Sequence, residues 1–258
     1  MTMRRLIPQA CVGFLCALTM SFILSRDLSA QDAVPGEILK RTLLIRVGED
    51  RIGTAFKIDR SGKLYLVTAR HMVAGLPVVD AIIHVWRDNK WDDLKTVKTM
   101  FPLSNDADIA VLETQEKVEQ PFAIQPATGT EGPTFGQQVW FLGYPTALGA
   151  ALPKLQFPFI KRGTMSAIDS SDRNAVVFYI DGFNNPGFSG GPIIYWDFSS
   201  HAIRILGVVQ GFRTELANGK SMVNGQAIDT AVLVNSGILV GYSINHAIQA
   251  IESGDRKP

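Results

Sequence analysis

Ser189 stands in the run Asn184-Asn185-Pro186-Gly187-Phe188-Ser189-Gly190-Gly191-Pro192, a glycine-rich bend that leads straight into the apolar stretch Ile193-Ile194-Tyr195. Glycines on both sides let the backbone turn its N–H groups toward one point beside the serine oxygen, where a tetrahedral intermediate would place negative charge. A serine hydroxyl needs a base to become nucleophilic near neutral pH, and histidine is the usual one. The chain has four histidines. His246 falls in a terminal helical pattern and is expected to be half-exposed there. His201 follows Asp197-Phe198-Ser199-Ser200 in a polar turn, and His84 sits inside an alternating strand, where a hydrogen-bonded structural role is expected. His71 differs, because it follows the strand Leu64-Tyr65-Leu66-Val67-Thr68 through Ala69-Arg70 and so sits at a strand end. A carboxylate should orient the imidazole and stabilise its charged form. Asp108, at the mouth of the apolar run Ile109-Ala110-Val111-Leu112, is the candidate, and Asp106 is its nearest rival. Taken alone, either aspartate reads as a turn cap at a strand start.

Short apolar runs rich in β-branched and aromatic residues must position these groups. They recur between turn signals, with almost no i, i+3, i+4 recurrence of a long helix, which predicts an all-β chain. Strands are expected at 42–47, 53–58, 63–68, 78–86 and 109–113, then at 138–142, 160–168, 175–180, 191–195, 203–212 and 239–244. Asp59-Arg60-Ser61-Gly62 reads as a hairpin turn. The change to Pro, Gly, Thr and Gln over 120–136 marks a boundary, with one β unit over 31–125 and another over 126–258. A terminal helix is expected, with Ser243 as its cap, Ile244, Ala247, Ile248 and Ile251 on one face, and an end near Gly254. The polar stretches 88–93 and 217–225 read as exposed loops, the first with carboxylates too irregularly spaced to favour calcium.

Lys and Arg number 25 against 24 Asp and Glu, a formal net charge of +1, so no basic field exists to hold a nucleic-acid backbone. Arg4 and Arg5, the apolar run from Ala10 to Leu24 and the small-residue site ending Leu28-Ser29-Ala30 have the order of a secretory signal peptide over 1–30. The apolar run is shorter than the roughly 18 to 20 residues needed to span a bilayer. Export to a bacterial periplasm or beyond, with no stable membrane span after cleavage, is expected. The two cysteines, Cys11 and Cys16, leave with that segment. The histidines are scattered and no His-Glu-x-x-His occurs, so no metal or other cofactor is expected.

Thr68-Ala69-Arg70-His71, Asp108-Ile109-Ala110-Val111-Leu112 and Gly187-Phe188-Ser189-Gly190-Gly191-Pro192 resemble, in that order, the three signature segments of the trypsin-like (chymotrypsin-clan) serine peptidases. Gly53-Thr54-Ala55-Phe56, Val139-Trp140-Phe141-Leu142-Gly143-Tyr144-Pro145, Gly163-Thr164-Met165-Ser166-Ala167-Ile168 and Gly207-Val208-Val209 extend the likeness. With Asp181 and Asn185-Pro186 they are most similar to the bacterial HtrA/Do-type protease domains. The resemblance implies two six-stranded antiparallel β-barrels with a C-terminal helix and a cleft between the barrels. It implies a serine endopeptidase acting on protein or peptide, with His71, Asp108 and Ser189 as triad and the N–H groups of Gly187 and Ser189 as oxyanion hole. By the same similarity Phe183 falls near the base of the primary specificity pocket, though it could equally pack in the core. The strand Val209-Gln210-Gly211 would line one wall and pair with substrate backbone. Phe188 departs from the Asp or Asn usual in the family, so activation by an ion pair to a freed N-terminus is not expected. Nor is a PDZ domain, since the sequence ends shortly after the terminal helix begins. A second reading is a degenerate, non-catalytic peptide-binding module, its cleft blocked by Phe188 or by residues 147–157.

Overall fold

The computed structural model describes residues 33–118, 120–128, 132–152, 155–171, 174–223 and 225–254, so residues 1–30, expected to be an export segment, and both cysteines lie outside the described residues. All the elements below belong to the compact unit Gly36–Pro258. A short helix, α1 (Gly36–Arg41), leads into strands β1 (Thr42–Val47), β2 (Arg51–Arg60), β3 (Lys63–Thr68), β4 (Ile82–Arg87), β5 (Lys90–Met100) and β6 (Ala110–Lys117). These close into an antiparallel barrel in the order β1-β2-β3-β6-β5-β4. After β7 (Gln138–Gly143) comes a small hairpin of β8 (Ala150–Leu152) and β9 (Leu155–Phe157). The chain continues through β10 (Phe159–Asp169), β11 (Val177–Asp181), β12 (Pro192–Asp197), β13 (Ala202–Val223) and β14 (Gln226–Ser243) to the helix α2 (Asn245–Gly254). The second barrel closes as β10-β11-β14-β13-β12-β7. The all-β, two-barrel expectation is met.

Each barrel is filled by the inward half of its alternating strands, as a period of two requires. Ile45, Val47, Ala55, Leu66, Ile83, Val85, Ala110 and Leu112 form the first core. Val139, Phe141, Met165, Ile180, Phe188, Ile193, Tyr195 and Leu239 form the second. β1 and β3 occupy the expected spans. Arg60 pairs with Lys63 across a two-residue turn in which Ser61 (φ 52°) and Gly62 (φ 75°) both take the left-handed conformation that a tight hairpin requires.

Several stretches differ from the sequence reading: the strand expected over 78–86 runs Ile82–Arg87, and strands over 94–100 and 226–238 were not expected. Residues 88–93 are a hairpin rather than a loop: Asp88 and Asn89 turn with positive φ, and Lys90 to Asp93 pair with Arg87 to His84. The polar residues that disguised this strand satisfy one another, with Asp92 beside Lys90 at 3.1 Å and Asp93 against His84 Nδ1 at 2.8 Å. Residues 217–223 likewise continue β13 and are not a loop. The helix α1 lacked a readable period because it has only six residues.

Burial of Arg41 explains α1. Its guanidinium donates to Lys57 O at 3.0 and 2.7 Å, to Ile124 O at 2.8 Å and to Glu37 Oε1 at 2.8 Å, and stacks over the Phe122 ring. One side chain therefore fastens the helix, β2 and the linker between the barrels. In α2, Ser243 Oγ accepts the Asn245 N–H at 3.3 Å, so the expected cap is present. The buried face is His246, Ala247, Ala250 and Ile251, and His246 is buried rather than half-exposed. Its Nε2 accepts the Val176 N–H at 3.0 Å, and burial lowers its pKa. The helix follows the second barrel in sequence but ties to the first through Arg60 with Glu252 at 2.5 Å and Lys98 Nζ with Gly254 O at 2.7 Å.

Replacing Arg41 by Met should lower unfolding free energy by about 3 kcal/mol, measured in urea, because the Lys57 and Ile124 carbonyls lose their donor. The depressed His246 pKa means that the unfolded chain binds the proton first as pH falls. Stability should therefore decline below the ordinary histidine value of 6.5 and level off below the folded-state value. His246→Gln, which cannot titrate, should flatten that segment of a stability-versus-pH curve.

Candidate active site

Thr54, near the middle of β2, bridges the two barrels. Its N–H donates to Ser189 O at 2.9 Å, and its Oγ1 donates to Gly187 O at 2.7 Å while accepting the Tyr144 N–H at 3.2 Å. Its own carbonyl accepts Thr68 Oγ1 at 2.8 Å. The first barrel thus holds both ends of the Gly187-Phe188-Ser189 bend through one buried residue. Close approach is possible because Gly190 has no side chain. A Cβ there would lie 2.1 Å from Thr54 O, 2.2 Å from Thr68 Oγ1 and 2.9 Å from Ala69 N, and the backbone is at φ +85°. The serine bend therefore rests against the strand end that leads, two residues later, to His71.

His71 lies in a 3-10 turn over Arg70–Val73 just after β3, where Met72 and Val73 are buried and the imidazole is left half-exposed. Its Nδ1 is 2.6 Å from Asp108 Oδ2, and its backbone N–H donates to Asp108 Oδ1 at 2.9 Å. The Arg70 N–H donates to Asp108 O at 3.2 Å. Both carboxylate oxygens thus hold one residue. Asp106, the rival, is exposed and its N–H is engaged by Ser104 Oγ at 3.1 Å. Tyr242 from β14 faces the same ground: burial first, then the charges of Asp108 and Asp106, raise its pKa.

Ser189 Oγ donates to Gln210 O at 2.9 Å. Among the described residues, that carbonyl rather than the His71 ring is its hydrogen-bond partner. The backbone of the bend is ordered by its carbonyls. Pro186 O accepts the Thr146 N–H at 3.0 Å, and Phe188 O accepts the Gly191 N–H at 2.8 Å. In a planar trans peptide the N–H points opposite to the C=O. The Gly187 N–H is therefore directed away from Thr146, and the Ser189 N–H away from Gly191. Gly187 sits at φ +104°, where a Cβ would strike Tyr144 O at 2.2 Å.

Phe188 is fully buried, edge-to-face with Phe141 at 5.4 Å between ring centroids. It packs the second core and does not block a cleft. Phe183 is 57% exposed, which removes the reading of it as a core residue. Lys161 Nζ donates to Phe183 O at 2.8 Å and to Asn185 Oδ1, and partial burial lowers its pKa. The sequence reading gave no role to Thr54 or Asn184. Asn184 is 1% exposed, and its Nδ2 donates to Gly211 O at 3.0 Å, bracing the bend against β13. Both lay inside quoted motifs, but a hydrogen bond between distant segments leaves no local pattern.

A family model for the trypsin-like peptidase domain matches residues 53–198. No curated protein matches the chain. Among solved structures, the active form of the Rv3671c protease from M. tuberculosis is 17% identical with a TM-score of 0.53, over 90% of this chain and 85% of that one. Its inactive form is 16% identical with a TM-score of 0.51, over 89% and 93%. The serine endoprotease from Yersinia pestis is 18% identical with a TM-score of 0.53, over 86% of this chain and 67% of that one. At such identities these likenesses speak for the fold. The matched span starts at Gly53, passes through His71 and Asp108, and ends beyond Ser189, covering more than half of the sequence. The chain belongs to the trypsin-like peptidase family.

Proposed function

We propose that the chain is an exported serine endopeptidase that hydrolyses peptide bonds through Ser189, His71 and Asp108. The observation that carries this reading is the two-point hold of Asp108 on His71, at 2.6 Å to Nδ1 and 2.9 Å to the backbone N–H, beside a serine bend pinned by Thr54. A carboxylate on Nδ1 keeps the proton there and leaves the Nε2 lone pair free to accept one. The reaction requires Ser189 Oγ to leave Gln210 O for that nitrogen, and rotation about Cα–Cβ between staggered rotamers is the ordinary means of such a move. Catalytic hydrogen bonds are commonly loose before substrate arrives.

In this mechanism Ser189 Oγ adds to the scissile carbonyl carbon as its proton passes to His71 Nε2. The negative oxygen is met by the N–H groups of Gly187 and Ser189, whose peptide carbonyls are tied away. The imidazolium then protonates the leaving amine, the C–N bond breaks, and an ester to Ser189 remains. Water, deprotonated by His71, attacks that ester; the proton returns to Oγ, and the acid product departs. Gln210 and Phe183 flank the substrate, Gln210 through its backbone and Phe183 through an exposed ring. Export rests on the pattern of residues 1–30. Among the described residues no helix is long and apolar enough to cross a membrane.

An organophosphate or sulfonyl fluoride should label Ser189 stoichiometrically, read by mass spectrometry, and casein should be cleaved. Ser189→Ala should remove both while keeping the fold, and Asp108→Asn should lower kcat by about 10³ to 10⁴. Labelling that survives in Ser189→Ala sinks the assignment. A folded wild-type chain that is neither labelled nor active would favour the non-catalytic module. Thr54→Val keeps shape but leaves Gly187 O and the Tyr144 N–H without their partner. It should cost about 1 to 3 kcal/mol in stability and reduce kcat more than it raises KM.

A further inference from the structure

β13 and β14 run far past the barrel. From Thr214, paired with Asn235, to Val223, paired with Gln226, they form a two-stranded arm of ten residue pairs. At strand rise this arm is roughly 34 Å long. Isolated two-stranded ribbons are marginal in water, and an unprotected edge invites another strand. This arm has few of the usual protections. Residues 214–235 contain no proline and only three charged side chains, Glu215, Lys220 and Asp229. Leu216, Met222, Val232 and Leu233 are 57–72% exposed.

The arm is rigidly joined to the site. Asn235 Nδ2 donates to Asn184 O at 2.5 Å, the Gly182 N–H donates to Gly237 O at 2.8 Å, and Asn184 Nδ2 donates to Gly211 O at 3.0 Å. The arm's root is therefore bonded to the loop that enters the serine bend. β13 itself supplies Gln210 O, the partner of Ser189 Oγ. β12 pairs with β13 only as far as Val208, and Gly190 and Gly191 bond both backbone groups of Val209, so no strand covers that edge of β13 from Gln210 outward. An open cavity of about 380 Å³ lies where β13 meets β14 and β11, lined by Gln210, Phe212 and Thr214 together with Tyr179, Val240 and Tyr242.

We propose that β13 from Gln210 to the end of the arm is one continuous substrate edge, which binds unfolded polypeptide in extended form, aliphatic-rich and uncharged, on the N-terminal side of the scissile bond. This rests on the reading of Ser189 as nucleophile and extends it. Main-chain pairing with the edge supplies affinity that is tolerant of sequence, and the exposed aliphatic side chains favour segments that a folded protein would hide. Near-neutral charge along the arm matches such segments.

The test uses peptides with a constant C-terminal side and an N-terminal side of three or of ten alternating Val and Thr residues. Binding is read by fluorescence anisotropy on the full-length Ser189→Ala chain, and cleavage on the wild type. The longer peptide should bind about tenfold more tightly, the worth of one or two net hydrogen bonds, and the gain should vanish when alternate residues are proline. Replacing 215–234 by Asn-Gly, which can close the Thr214–Asn235 pair, should abolish the gain while leaving short-peptide binding unchanged. Leu216→Lys with Met222→Lys, both at exposed positions, should weaken long-peptide binding in the same direction without shortening the chain. Equal affinity for both lengths, or a gain kept after the arm is shortened, overturns the proposal. So does sedimentation showing an arm-dependent dimer without a length effect, because the arm would then serve a second copy. Long-peptide binding without cleavage or Ser189 labelling in the wild type would support the arm and bring down the catalytic reading instead.

Discussion

The hydrogen bonds of Thr54 are the constraint on which the rest of the site depends. The proposed chemistry, with Ser189 on one barrel and His71 on the other, requires the two barrels to be held in register to a fraction of an ångström. Thr54 does this with backbone and side chain together, donating to Ser189 O and Gly187 O, accepting from Tyr144 and receiving Thr68 on its own carbonyl. Thr54, Thr68 and Tyr144 are buried, so breaking a bond among them leaves a buried polar group without a partner. The absence of a Cβ at Gly190 and Gly187 is the steric counterpart, since a methyl group at either would collide with backbone oxygen.

Around that seam, the site is arranged by carbonyls as much as by side chains. Pro186 O and Phe188 O are engaged by Thr146 and Gly191, and this orients two N–H groups without any side chain pointing at the reaction. Gln210 O receives the Ser189 proton at rest. Asn184 and Asn235 extend this ordering outward, from the serine bend to the root of the β13–β14 arm. The loop entering the bend, β13 and the arm form one hydrogen-bonded unit. A change at the arm's root therefore reaches Ser189 through two asparagines.

Much of this was legible before any coordinates. The strands at 42–47 and 63–68 emerge from alternation and from Gly62, because inward and outward faces follow a period of two that composition records directly. Asp108 was preferred to Asp106 for its place at the mouth of an apolar strand and by resemblance; the geometry adds a two-point hold on His71. Failures fell where polarity misled. Residues 88–93 and 217–223 look like loops because their side chains are short or charged, yet cross-strand partners satisfy them. His246 looked exposed because a helical wheel cannot show that Val176 waits to donate to it.

Taken by itself, the sequence determined the all-β class, the order histidine, aspartate, serine, the glycine-rich bend and the near-neutral charge. Each of these is local or additive, carried by residue types and short spacings. Only tertiary structure decided that Phe188 fills a core, that Phe183 does not, that Thr54 and Asn184 brace the bend, and that β13 outruns its barrel. These facts depend on which distant backbone atoms meet, and a hydrogen bond between residues 54 and 189 imposes no periodicity on either neighbourhood.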